Sequence, residues 1–141
     1  MNVKILVING PNLNMLGIRD RNQYGSFTLD ELNEKISKKF QDISFDFFQS
    51  NHEGEIVDKL QTYSEFNGII INPGALTHYS YAIRDCIETI PTDVIEVHIS
   101  NVDNREEFRK ESVITPVCIG KISGLKEYSY ILGVEYFLKD L

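Results

Sequence analysis

The sequence predicts an α/β sandwich: a doubly wound, five-stranded parallel sheet with helices on both faces. Three observations lead there. Five short runs are almost continuously apolar, as strands buried on both faces are. Capped segments with helical periodicity alternate with these runs. Polar side chains gather where the runs end, and ligands bind beyond the carboxyl ends of strands in open parallel sheets. The 141 residues are 42% apolar and 25% charged, which suits one domain, 1–141, with a full core.

Val3–Asn9 reads as the first strand. A loop of about fifteen residues follows, from Gly10 to Tyr24. That is long beside the roughly two to six residues usual for a βα connection, and loops of such length tend to be lids or binding loops. We read a lid at about 17–25. Thr28-Leu29-Asp30-Glu31 is a capping box and opens a helix running to about Phe40. Ser44–Gln49 is the second strand. Glu53 to about Phe66 is helical, with Ile56, Leu60 and Tyr63 on one face. Gly68–Asn72 is a buried strand, and Tyr81–Thr89 a helix turning Ala82, Ile83, Cys86 and Ile87 inward. Asp93–Ile99 is the fourth strand and Val117–Ile122 the fifth. Lys126 to about Leu138 closes the chain as a helix. Between the last two strands, Arg105 to Arg109 could form one short helical turn. Five βα units with right-handed crossovers give a flavodoxin-like fold.

The net charge of −7 argues against nucleic acid as a partner, which would need basic surface. An anionic substrate would therefore need a local positive site. The longest apolar runs span about six residues, against the roughly twenty of a membrane helix. The N-terminus enters a strand without a signal-peptide pattern. Cys86 and Cys118 show neither CxxC nor zinc-type spacing and read as buried core thiols. A reducing cytoplasm fits these features.

Chemistry concentrates at the strand ends. Asn9, the Ser50-Asn51-His52-Glu53 stretch, Asn72, and His98-Ile99-Ser100-Asn101 all sit there, and His52, His78 and His98 fall on or just beyond this edge. No GxGxxG or GxxxxGK[ST] follows the first strand, and Pro11 lacks the N–H that a phosphate cradle uses. No HExxH pair anchors a metal, and no GxSxG elbow provides a serine nucleophile. Acid–base chemistry remains. Arg19 and Tyr24 share the lid, with His98 at the opposite wall. Each alone could be a packing, surface or structural residue; their combination favours a site. A free phenol titrates near 10, so half-ionising one at neutral pH needs about 4 kcal/mol. One or two close arginines in a water-poor cleft can supply that. The phenolate could take a proton from a carbon beside a carbonyl, and His98 could protonate a departing hydroxyl. Asn12 and Asn72 could hold a water or an enolate oxygen, and Arg109 with His78 a carboxylate. The constellation describes a dehydratase for a small polar hydroxy-acid ketone.

Five blocks carry a family resemblance along essentially the whole chain: NGPNLNMLG with Arg19 and Tyr24-Gly25, QSNHEGE at 49–55, INPGALTHYSYAIRD at 71–85, EVHISN at 96–101 and REEFR at 105–109. In this order they resemble the type II 3-dehydroquinate dehydratases of the shikimate pathway, which supplies aromatic amino-acid biosynthesis. The resemblance implies anti elimination of water from 3-dehydroquinate through an enolate, with neither metal nor organic cofactor. It implies Tyr24 as proton acceptor, Arg19 beside it, and His98 as proton donor. It has Asn12 place a water on the enolate, and Glu53 support the site. Asn72, His78, Ile99, Ser100 and Arg109 would hold substrate, with Asp85 reaching in from a neighbouring subunit of a dodecamer built from trimers. Three stretches depart from the family's pattern: Asp20-Arg21 stands for the usual Glu-Pro, Asp103-Asn104 for His-Ala, and Gly124–Gly133 drifts. A non-catalytic flavodoxin-like binding module, a response-regulator-like domain and a different enolising lyase or isomerase remain as rivals. The second of these would need an acidic cluster where this chain has Asn9.

Overall fold

Alternate residues of the central strands face opposite sides of one sheet, and each side builds its own core. The structure, a computed structural model, describes residues 2–18 and 20–140. The strands are β1 (Val3–Asn9), β2 (Ile43–Gln49), β3 (Gly68–Asn72), β4 (Val94–His98) and β5 (Gly120–Ser123). All pair in parallel, in the order β2-β1-β3-β4-β5. This is the flavodoxin-like order, whose direction reverses beside β1. The longer helices are α2 (Leu29–Lys39), α3 (Glu53–Leu60), α4 (Tyr81–Thr89) and α5 (Tyr128–Leu138). On one face Ile5, Val7, Ile70 and Val97 pack against Leu32 and Ile36 of α2 and Tyr130, Ile131 and Val134 of α5. On the other, Leu6, Ile8, Ile69 and Ile71 pack against Ile56 and Leu60 of α3 and Ile83, Cys86 and Ile87 of α4.

Local chemistry sets the boundaries. Thr28 Oγ1 accepts from the Glu31 amide at 3.1 Å while the Glu31 carboxylate accepts from the Thr28 amide at 3.1 Å, completing the expected capping box. Ser80 caps α4 through the Ile83 amide at 3.1 Å. Several expectations need correction. The helix from Glu53 stops at Leu60 and resumes only as a 3-10 turn at Tyr63–Glu65. At that break the Thr62 hydroxyl donates to the Lys59 carbonyl at 2.7 Å. Ala82 is exposed, because the inward stripe of α4 runs through Ile83, Cys86 and Ile87. The fifth strand begins at Gly120, since Thr115–Val117 forms a 3-10 turn around Pro116. Cys118 is half-buried, unlike Cys86. The long first connection is not featureless: it holds a 3-10 turn at Leu13–Met15 and a four-residue helix, α1 (Arg21–Tyr24).

Gly10 joins this connection to the neighbouring strand end. Its amide donates to the Asn72 carbonyl at 2.8 Å. A Cβ there would lie 2.6 Å from the Pro73 carbonyl oxygen. Only glycine allows the β1 and β3 loops to approach so closely, and the site is built on that approach.

Candidate active site

A cavity of about 120 Å³ opens at the carboxyl edge of the sheet. It is lined by Asn12, Tyr24, Asn72, His78, His98, Ile99, Ser100, Arg105 and Arg109, with Pro11, Leu13, Gly74, Ala75 and Val102 between them. The described wall thus gathers residues from five separate stretches of chain.

The floor is an amide network. Asn9 and Asn72 end β1 and β3 in register and are both buried. The Tyr130 hydroxyl, from α5, donates to Asn9 Oδ1 at 2.5 Å and accepts from Asn72 Nδ2 at 2.9 Å. Burial pushes the Tyr130 phenol well above its ordinary range, with the Asn72 hydrogen bond pulling the other way, so it remains a donor. Asn72 Oδ1 accepts from the Gly74 amide at 3.1 Å. Both ends of the Asn72 amide are therefore anchored, and its remaining hydrogen and lone pair have a fixed sense. Asn12 is held in the left-handed region, φ 70°, where side chains carry a steric cost. Its amide donates to Asn51 Oδ1 at 2.9 Å, and Gln49 Nε2 donates to the same oxygen and to the Gly10 carbonyl, each at 3.2 Å.

One side of the cavity is formed by Tyr24, the expected proton acceptor. Helix α1 presents it, largely buried, at the cavity wall. Arg105 Nη1 donates to its hydroxyl oxygen at 2.5 Å and to Ser100 Oγ at 3.2 Å. This places positive charge where phenolate charge would develop. Arg19, the cationic neighbour of Tyr24 expected from the sequence, lies outside the described residues, and Arg105 is a contact the sequence does not announce. The signal that could have found Arg105 was its place at the head of the REEFR block, although 81 positions separate it from Tyr24.

Opposite lies His98, the expected proton donor, buried at the end of β4. Two residues earlier on the same face, fully buried Glu96 accepts a short hydrogen bond from His98 Nε2. Glu96 also accepts from Thr77 Oγ1 and Thr115 Oγ1, each at 2.5 Å, and from Ser112 at 3.3 Å. Burial alone would raise the Glu96 carboxyl. The hydrogen bond and charge of His98, with the Thr115 and Thr77 hydroxyls, outweigh it and hold the group below the ordinary carboxylate range.

Around the rim, His78 Nδ1 bonds the Glu111 carbonyl at 2.6 Å and meets Phe108 edge-on at 5.4 Å between centroids. Arg109 pairs with Glu106 and lies 4.7 Å from the Phe108 ring centroid. Arg105 and Arg109 bring positive charge to the cavity wall, as an anionic ligand needs in an acidic chain. Three residues fall outside the cavity wall. Glu53 accepts from Ser80 Oγ at 2.5 Å, bracing the cap of α4 from behind. Asp85 points outward beside Arg84, its side chain 71% exposed. His52 precedes α3 and is exposed.

The family model for class II dehydroquinases matches residues 3–138. The chain belongs to the class II dehydroquinase family. It is 57% identical over 139 residues to the 3-dehydroquinate dehydratase of Thermotoga neapolitana, covering 97% of this chain and 95% of that protein. It is 49% identical over 140 residues to the enzyme of the same name from Clostridium botulinum, covering 97% and 95%. The crystal structure of type II dehydroquinase from Butyrivibrio crossotus superposes with a TM-score of 0.94 at 50% identity, covering 96% of this chain and 97% of that one. Class II dehydroquinase membership accords with the parallel sheet and disfavours the reading as a flavodoxin-like binding module.

Proposed function

We infer that the chain is a 3-dehydroquinate dehydratase, a hydro-lyase of the shikimate pathway that forms 3-dehydroshikimate and water. Family membership supports the reaction. One observation carries the mechanism: Tyr24 backed by Arg105 and His98 backed by Glu96 line the same small cavity.

Tyr24, as phenolate, takes a proton from the carbon beside the substrate ketone, and the C–H electron pair becomes an enolate. Arg105 stabilises the phenolate before transfer, and Arg19 is assigned the same task. A water held by Asn12 donates to the enolate oxygen. The enolate then collapses, the C–O bond to the leaving hydroxyl breaks, and His98 protonates that oxygen to release water. The product is a conjugated enone. Asn72, His78, Ile99, Ser100 and Arg109 hold the substrate, and Arg109 exchanges Glu106 for the substrate carboxylate. Glu53 acts from behind as a brace. The step balances with side chains alone, so we assign neither metal nor organic cofactor. We further propose a dodecamer built from trimers, with Asp85 serving a neighbour's site, and a cytoplasmic location.

Mixing the protein with 3-dehydroquinate and following ultraviolet absorbance of the enone tests the assignment. Steady growth of absorbance, unaffected by chelator or by borohydride, is the expected result. No growth overturns the activity; loss to borohydride would indicate a lysine imine instead.

A further inference from the structure

Helix α1 carries Tyr24, yet it is a single turn and cannot hold itself in place. Its last carbonyls have no helical partners. Two of them, on Asn22 and Gln23, accept from Lys126 Nζ at 2.7 and 3.0 Å. A cation there also meets the negative end of the turn. Lys126 sits in the connection between β5 and α5, 104 and 103 positions beyond Asn22 and Gln23, and is half-buried.

Its backbone is the second observation. Lys126 has φ 54°, in the left-handed region. A non-glycine residue in that region costs of order 1 kcal/mol and persists where its surroundings or its side chain compensate. The same connection is bonded to the acid wall. The Gly124 amide donates to the His98 carbonyl at 3.2 Å and the Lys126 amide to the Ile99 carbonyl at 3.1 Å. One residue thus grips the strand end bearing the acid with its backbone and the turn bearing the base with its side chain.

We propose that Lys126 is a positioning residue for Tyr24, a strut that fixes the base-bearing turn at a set distance from His98. It touches neither substrate nor the reacting atoms. Its role rests on the dehydratase reading, in which Tyr24 is the base.

Three substitutions test it. Lys126→Gly suits the backbone angle and deletes the amine; Lys126→Met keeps the length without the charge; Lys126→Arg keeps donors. Each is assayed for kcat and KM, for thermal midpoint, and for cleavage after Arg21 by an arginine-specific protease. The Gly and Met variants should lose roughly tenfold in kcat, short of the hundredfold that a full ångström of misplacement brings. KM should stay within about threefold, because the proposed substrate ligands lie outside α1. Cleavage after Arg21 should quicken, and the midpoint of the Gly variant should not fall, since its backbone strain is relieved. Lys126→Arg should retain at least half of kcat. The strut is refuted if either the Gly or the Met variant keeps kcat within twofold, if kcat falls with cleavage unchanged, or if Arg behaves like Met. A wild-type protein without turnover would instead remove the dehydratase reading, while the cleavage rates would still report whether Lys126 holds the turn.

Discussion

Tyr24 and His98, the proposed base and acid, each contact a charged partner: Arg105 at the phenol, Glu96 at the imidazole. Tyr24→Phe keeps the ring and deletes only the oxygen, so turnover should fall by more than about a hundredfold, the low end of what a general base contributes. Folding and product binding should persist; a variant keeping a tenth of wild-type kcat would remove Tyr24 from the role. Arg105→Ala should cost roughly 10²-fold in kcat, as loss of one preorganised charge partner does, and a loss below threefold would make Arg105 a bystander. For Glu96 the sign follows from its depressed pKa. The carboxylate's contribution to stability is fully present above the ordinary carboxylate value near 4.5 and lost as pH falls through the folded-state value. The stability gap between wild type and Glu96→Gln is to be measured by denaturant melts from about pH 4.5 downward, where the carboxylate titrates. Below that the gap should narrow by at most about 1.4 kcal/mol per pH unit. A gap that widens on acidification would contradict this.

Elements whose signals are local were readable in advance. Val3–Asn9, Gly68–Asn72 and Tyr81–Thr89 form as the sequence predicts, because burial on both faces or a serine cap marks their ends. The stop of α3 at Leu60 was not readable: Tyr63 and Phe66 continue the apolar spacing, and periodicity cannot see a hydroxyl turning back on Lys59. The start of β5 was obscured in a similar way, by the apolar run Val117-Cys118-Ile119 after Pro116. The polar strand ends pointed to the cavity, and Asn12, Tyr24, Asn72, His78, His98, Ile99, Ser100 and Arg109 all line it. Arg105 and Tyr130 escaped because what makes them matter is a contact between distant elements. Tyr130 joins α5 to β1 and β3, so Tyr130→Phe should destabilise by about 1–3 kcal/mol, the cost of leaving buried partners unpaired. It should also raise KM through Asn72. In an Asn72→Ala background the KM effect should vanish; an additive effect would mean that Tyr130 acts by packing alone.

For the whole molecule, the exposed apolar stripe on α5 is informative. Tyr128, Leu132 and Tyr136, spaced four apart, are 54, 44 and 41% exposed. Such a stripe on one helix face suits burial by another copy, in line with the proposed dodecamer. Light scattering should report about twelve times the 16.2 kDa chain mass. A fully active monomer would refute sharing of Asp85, whereas an active trimer would refute only the outer assembly. The hydrogen bond from Tyr130 to Asn9 has one more consequence, for the timing of biosynthesis. Its partners lie 121 residues apart. At ribosomal rates of about 5–20 residues per second, roughly 6–24 s pass between their synthesis. Through that interval β1 can find its neighbouring strands, but the amide floor of the cavity lacks its clamp. The nascent chain should therefore pair β1 with its neighbouring strands before it becomes an enzyme, and catalytic competence should not precede the synthesis of α5.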